Sequence, residues 1–207
     1  MSLSTTALHG LHEELGGRLV DFAGWELPVQ FAGIIAEHQH TRKSASLFDV
    51  SHMGQVLIYP ESGNLADAAA ALETLIPASV AGLKEGRQRY GLFTDENGGV
   101  LDDLMFANHG DRYFLVVNAA RSDHDLGLLR TLERVTVEHI TDRSLLALQG
   151  PRAEEALGGL VPKATGLKFM DSQILDWDGI EVWISRSGYT GEDGFEISVP
   201  SAEAERL

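Results

Sequence analysis

The chain has 207 residues, 43% apolar and 23% charged, which fits an ordinary soluble globular protein with room for one large domain or two small ones. Its formal net charge of −15 repels phosphate backbones and anionic lipid, which argues against nucleic acid or a membrane surface as partner. With no cysteine, disulfides, thiolate metal sites and cysteine nucleophiles are excluded, and a reducing compartment fits.

The stretch from Met1 to Thr6 has neither a basic head nor an apolar run, so no secretory signal is read there. No apolar segment approaches the ~20 residues that span a bilayer. Leu8, Leu11 and Leu15 recur at helical spacing, and Gly16-Gly17 would end that helix. Arg18 to Phe22 alternates like a short strand, and Gly24 to Pro28 reads as a loop carrying Trp25. Gly33 to Ala45 is predicted helical, with Ile34 and Ile35 as its apolar anchors. Leu47 to Tyr59 is mostly strand, interrupted around Ser51 to Gly54, and Asn64 to Ile76 is an Ala-rich helix stopped by Pro77.

Tyr90 to Thr94 and Val100 to Phe106 read as two strands, with Asp95-Glu96-Asn97-Gly98-Gly99 as the turn between them. The second strand carries an acid pair, Asp102-Asp103, inside an apolar run. Successive strand residues face opposite ways, so one Asp points outward and its neighbour toward the interior. An inward carboxylate costs roughly 2–7 kcal/mol unless something pairs with it. A functional pocket would offset that cost, and so would backbone N–H groups beside the turn. Further strands are predicted over Tyr113 to Val117, Val135 to Ile140 and Ser144 to Leu148, with a helix over Ser122 to Leu132. Gln149-Gly150-Pro151 opens a helix ending near Gly158-Gly159, with Pro151 in its first turn. Gln173 to Trp177 and Ile180 to Arg186 form a hairpin about an Asp178-Gly179 turn, and Gly194 to Val199 is a last strand. Ser201 to Leu207 reads as a helix start with Ser201 as N-cap, stopping within two turns, so a longer protein is expected. Hairpins outnumber strand–helix–strand units, which makes the class α+β with largely antiparallel sheets and packed helices.

The simple chemical motifs mostly fail. His9 and His12 with Glu13 fall short of HExxH, because Gly16 stands where the second His belongs, and no metal site is expected. His38 and His40 are two apart and do not share a helix face. The Asp95 turn matches a calcium loop only at its start. Gly188 to Gly194 is glycine-rich but is neither GxGxxG nor a P-loop, and its acids repel phosphate.

Six stretches taken together resemble the glycine-cleavage T-protein family of folate-dependent aminomethyltransferases. They are Val20 to Pro28, Leu47 to Gly54, Asn97 to Leu104, Val116 to Ala120, Leu148 to Pro151 and Arg186 to Glu196, in the family's order and across nearly the whole chain. The resemblance implies transfer of a one-carbon unit from an aminomethyl-lipoyl carrier, the H protein, to tetrahydrofolate. The products are 5,10-methylenetetrahydrofolate, ammonia and the reduced lipoyl carrier. It places the family's key acid on Asp103, which would hydrogen-bond the folate near its reacting nitrogens and steady developing positive charge. Folate contacts are implied at Tyr90, Met105, Asn118, Tyr189 and Glu196, the last facing the paired N–H donors of the aminopyrimidine edge. Asp102 is then structural. The implied organisation is a folate-binding fold of three domains. Residues 1–52 plus 140–207 make a discontinuous first domain, 53–139 an inserted second, and the third lies past Leu207 with the residues for the folate glutamate tail. A monomer is expected, in the cytoplasm or, for a eukaryotic source, the mitochondrial matrix. Two other readings share the folate module: a sarcosine- or dimethylglycine-type demethylase, and a non-catalytic folate-binding protein of iron–sulfur assembly.

Overall fold

Runs rich in β-branched and apolar side chains build two five-stranded sheets in the computed structural model, which describes residues 2–207. In chain order the helices are α1 (His9–Glu14), α2 (Ile34–Lys43), α3 (Leu65–Leu72), α4 (Ser122–Leu129) and α5 (Ala153–Gly158). The strands are β1 (Leu19–Phe22), β2 (Trp25–Pro28), β3 (Ser46–Asp49), β4 (Gly54–Pro60), β5 (Arg87–Thr94), β6 (Val100–Asn108), β7 (Tyr113–Val117), β8 (Val135–Ile140), β9 (Arg143–Gln149), β10 (Ser172–Trp177), β11 (Ile180–Arg186) and β12 (Gly194–Pro200). The fold is α+β with antiparallel pairing, as the hairpin-rich sequence implies. Contacts divide it into one unit of Met1–His52, Asp142–Phe169 and Ile174–Leu207, and another of Met53–Thr141 and Met170–Gln173.

The first unit contains the sheet ordered β10-β11-β12-β9-β3 and the small β1–β2 hairpin. Phe195, Ile197 and Val199 on β12, Val182 and Ile184 on β11 and Leu146 on β9 point to one face, where they pack with Ala153 and Leu157 of α5. Glu196 and Ser198 therefore point to the other face. The β10–β11 turn is the predicted one: Asp178 and Gly179 both take positive φ, at 52° and 83°, as a two-residue hairpin turn requires.

The second unit holds the sheet ordered β5-β6-β7-β4-β8. Val56, Ile58, Phe93, Leu104, Phe106, Leu115 and Val117 line one face and pack with Leu72 of α3 and Leu126 and Leu129 of α4. Asn64 caps α3 by accepting from the Ala66 N–H at 3.2 Å.

Several local expectations are corrected. Ile34 and Ile35 do not anchor α2, since they are 61% and 72% exposed and the buried residue of that helix is Thr41. Leu15 is exposed just past the end of α1. The Ala-rich helix ends at Leu72 rather than Ile76, because the Thr74 hydroxyl and N–H both take the Ala71 carbonyl and tighten the chain into turns ahead of Pro77. Pro151 lies in a turn before α5. Ser201 opens a single 3₁₀ turn without capping it, and its hydroxyl is 3.2 Å from that of Ser144.

Candidate functional site

In the second unit the β5–β6 hairpin decides where the acid pair points. Tyr90 pairs with Met105, Leu92 with Asp103 and Phe93 with Asp102. Cross-strand partners share a face. Asp102 therefore lies on the face of Phe93 and Leu104, toward the apolar core, while Asp103 lies on the opposite face with Tyr90 and Met105. The register shifts between Phe93 and Thr94, whose partners are Asp102 and Val100, so Leu101 is an extra residue: a bulge one position before the acids.

Asn118 follows the last residue of β7 and reaches back to β6. Its Nδ2 donates to Asp103 Oδ1 at 2.9 Å, to the Asp103 carbonyl at 3.1 Å and to Asp102 Oδ1 at 3.1 Å. It makes no side-chain cap bond to the 3₁₀ turn behind it. Four of the predicted residues, Tyr90, Asp103, Met105 and Asn118, are thus brought together in one unit. Tyr90 is 55% exposed and Met105 is buried. Partial desolvation, and after it the Asp103 carboxylate, raises the Tyr90 phenol above its ordinary value, which keeps it protonated and able to donate.

The other two predicted residues lie in the first unit. Glu196 is 8% exposed and pairs with Ser185 on β11 and Ala147 on β9. Its Oε2 accepts from Ser187 Oγ at 3.1 Å and Ser185 Oγ at 3.5 Å. Burial pushes its carboxyl up to about 7, against the pull of those two hydroxyls. Two neutral donors leave most of a carboxylate's acceptor positions open for a ligand with N–H groups. Tyr189, 60% exposed, sits on the loop from Ser187 to Asp193. That loop folds back so closely that a Cβ on Gly188 would lie 1.8 Å from the Glu192 carbonyl oxygen, which only glycine permits.

Three groups escaped the sequence reading. Gln149, buried at the end of β9, accepts from the Tyr189 N–H at 2.7 Å and donates to the Ser187 carbonyl at 3.2 Å, so one amide sets the loop. Arg186 clamps its ends, bonding Asp193 Oδ1 at 3.0 Å and Oδ2 at 2.5 Å and Glu154 Oε2 at 2.5 Å. Asp125 on α4, fully buried, faces Asp102. A buried amide in an apolar strand was a legible signal for Gln149. Asp125 gave none, because its partner is far off in sequence.

His9 and His12 take separate partners, Glu26 and Asp49, each at 2.8 Å. Among the described residues no group of three His, Cys, Asp or Glu is placed to hold a metal. No helix of the described residues is long and apolar enough to cross a membrane. A cavity of about 760 Å³ in the first unit, lined by Leu8, His12, Phe31, Leu47, Asp49 and Leu146 among others, contains none of the six predicted site residues.

Residues 8–207 match the family model described as GCVT N-terminal domain. The mitochondrial aminomethyltransferase of Dictyostelium discoideum is 41% identical over 99% of this chain and 53% of its own length. The aminomethyltransferase of Rubrobacter xylanophilus is 43% identical over 100% of this chain and 55% of its own. Among solved structures, the glycine cleavage system aminomethyltransferase T from Bartonella henselae matches with a TM-score of 0.88 and 38% identity, over 100% of this chain and 56% of that one. The chain spans about half the length of the curated relatives it matches.

Proposed function

The chain belongs to the GCVT N-terminal domain family, and from that premise we propose that it carries out the one-carbon step of an aminomethyltransferase of glycine cleavage. In this reading the aminomethyl group comes from a lipoyl arm on the H protein, and tetrahydrofolate accepts the carbon as 5,10-methylenetetrahydrofolate, with release of ammonia and the reduced carrier. The observation that carries it is the setting of Asp103: a carboxylate pre-oriented by Asn118 at 2.9 Å, on one sheet face with Tyr90 and Met105. A carboxylate held this way needs no reorganisation to accept a proton or to stabilise positive charge at a reacting nitrogen. Tyr90 offers an exposed ring for a pterin or benzoyl face and Met105 an apolar wall. Asn118, its Nδ2 committed to the acids, acts on folate through Asp103 or its side-chain carbonyl oxygen.

Glu196 is assigned to the aminopyrimidine edge, because a buried carboxyl held by two hydroxyls is poised to ionise when paired N–H donors arrive. Tyr189 is assigned to folate on the strength of its exposed ring on a clamped loop. The discontinuous domain 1–52 plus 140–207 and the inserted domain 53–139 are part of the proposal, supported by the division of contacts into two units. The relatives' names favour neither the demethylase nor the iron–sulfur reading.

The test is ammonia release from aminomethylated, lipoylated carrier. Ammonia that appears only when tetrahydrofolate is present, with stoichiometric methylenetetrahydrofolate, supports the proposal. Tetrahydrofolate-independent release, or none from a chain that binds folate, overturns it.

A further inference from the structure

The acid pair of β6 is joined to a third carboxylate that the proposed reaction does not use. Asp125 has no exposed surface, and its Oδ1 lies 3.0 Å from Nδ1 of His124. Its other oxygen, Oδ2, is buried without a donor, and so is Oδ2 of Asp102. Asp102 lies on the sheet face that packs against α4, the helix that carries Asp125, and the two carboxyls interact. Two ionised carboxylates so placed repel strongly, whereas one proton between them makes a short, charge-assisted O–H···O bond. Burial first, then Asp102, raises the Asp125 carboxyl to about 6 against the opposing pull of His124.

Asp102 passes the constraint on. Its Oδ1 accepts from Asn118 Nδ2 at 3.1 Å, and the same nitrogen holds Asp103 by Oδ1 at 2.9 Å and by its carbonyl at 3.1 Å. An amide nitrogen has two hydrogens, so three acceptors share two donors. Any movement of Asp102 redistributes the donors that hold Asp103.

We infer that Asp125 is a positioning residue for Asp103: it holds Asp102 through a shared proton, Asp102 holds the Asn118 amide, and Asn118 aims the Asp103 carboxylate. Its consequence for turnover rests on the reading of Asp103 as the catalytic acid; the hydrogen-bond relay does not. When the proton leaves, Asp102 and Asp125 are both ionised, Asp102 recoils, and Asp103 loses its fixed aim. The titratable groups that face Asp125 are His124 on its own helix and Asp102 from β6.

The reporter is the side-chain amide of Asn118 in ¹⁵N-correlation spectra of the chain. Its resonances are expected to titrate with a midpoint near 6, to stop titrating in Asp125→Asn, whose amide donates to Asp102 at every pH, and to keep titrating in His124→Gln. Resonances that stay fixed between pH 5 and 8, a titration that survives in Asp125→Asn, or one that His124→Gln abolishes, overturns the proposal. Asp125→Leu, which leaves Asp102 without a proton donor, is expected to shift the same resonances at all pH values. Where that variant does not fold, Asp125→Asn decides alone. In turnover at pH 5.5, below the midpoint and with the shared proton in place, Asp125→Leu is expected to lower kcat by about tenfold or more with KM for tetrahydrofolate unchanged. Spectra that behave as stated while kcat holds would leave the relay standing and remove Asp103 from the chemistry, so the two readings fail separately.

Discussion

Asp103 and Glu196 are both carboxyls on sheet faces turned away from their own apolar cores, yet their surroundings prepare them for different work. Asp103 accepts from the Asn118 amide at 2.9 Å, which fixes the direction of its carboxylate. Asp103→Asn keeps the size and one acceptor but removes the charge. It is expected to lower kcat by about 10²–10³ while tetrahydrofolate affinity stays within a few-fold, the signature of an interaction made in the transition state. Stopped-turnover rates and a folate titration on the same variant check this, and equal losses in both would make Asp103 a binding residue only. Glu196 is the opposite case, with its carboxyl raised to about 7 by burial, against about 4.3 in an unfolded chain. The folded state therefore holds a proton that the unfolded state has lost, and stability falls as pH rises from about 4 through 7. Glu196→Gln removes this linkage, so its melting temperature should exceed the wild type's by a margin that grows from pH 5 to pH 8. A constant margin would show that Glu196 is not protonated in the fold. Strand parity set Asp102 and Asp103 on opposite faces, but only the family resemblance singled out Asp103. Asn118 was legible only as a folate contact, because the bonds it makes to β6 join residues fifteen and sixteen positions away.

Elements were legible where local chemistry decides them. The Asp178-Gly179 turn takes the positive φ values that its residue types permit, and the predicted strands fall where they were placed, while Trp25–Pro28, read as a loop, is strand β2 paired with β1. Local chemistry misled at α2, where Ile34 and Ile35 look like anchors but face outward, because the helix is seated by Thr41 bonding the Glu37 carbonyl and Ser46. The Ser187 to Asp193 loop was legible as a glycine-rich stretch but not as a clamped element, since its clamps, Gln149 and Glu154, come from elsewhere in the chain. That clamp is testable. Gln149→Leu keeps volume but removes the acceptor of the Tyr189 N–H and the donor to the buried Ser187 carbonyl, at a cost of about 1–3 kcal/mol for the buried carbonyl. The expected result is a lower urea midpoint with an unchanged slope, together with protease nicking confined to this loop. A variant as stable and as resistant as wild type would show that the Arg186 clamp alone suffices.

At the scale of the whole chain, charge sets two effects against each other. There are 31 acids and 16 Lys and Arg, a net charge of −15, and the long-range part of that imbalance opposes any compact state. Several arginines answer it locally: Arg186 with Asp193 and Glu154, Arg42 with Glu192 at 2.8 Å, Arg206 with Asp178 at 2.9 Å. Salt weakens both terms, but unequally. Raising ionic strength from 0.01 to 0.1 M shortens the screening length from about 30 Å to about 10 Å, which removes repulsion between distant carboxylates. The exposed pairs contribute only about 0–1 kcal/mol each even at low salt, and the Arg186 pairs are partly shielded from solvent. Relief of repulsion therefore outweighs loss of pairing, and the melting temperature is expected to rise by several degrees between 10 and 100 mM NaCl at pH 7.5. The same series at pH 5, where the deprotonation of Glu196 and Asp125 is reversed and some surface acids begin to take up protons, should show a smaller rise. A melting temperature that falls with salt at pH 7.5 would mean that the arginine pairs, rather than the excess of acids, dominate the electrostatics of the fold.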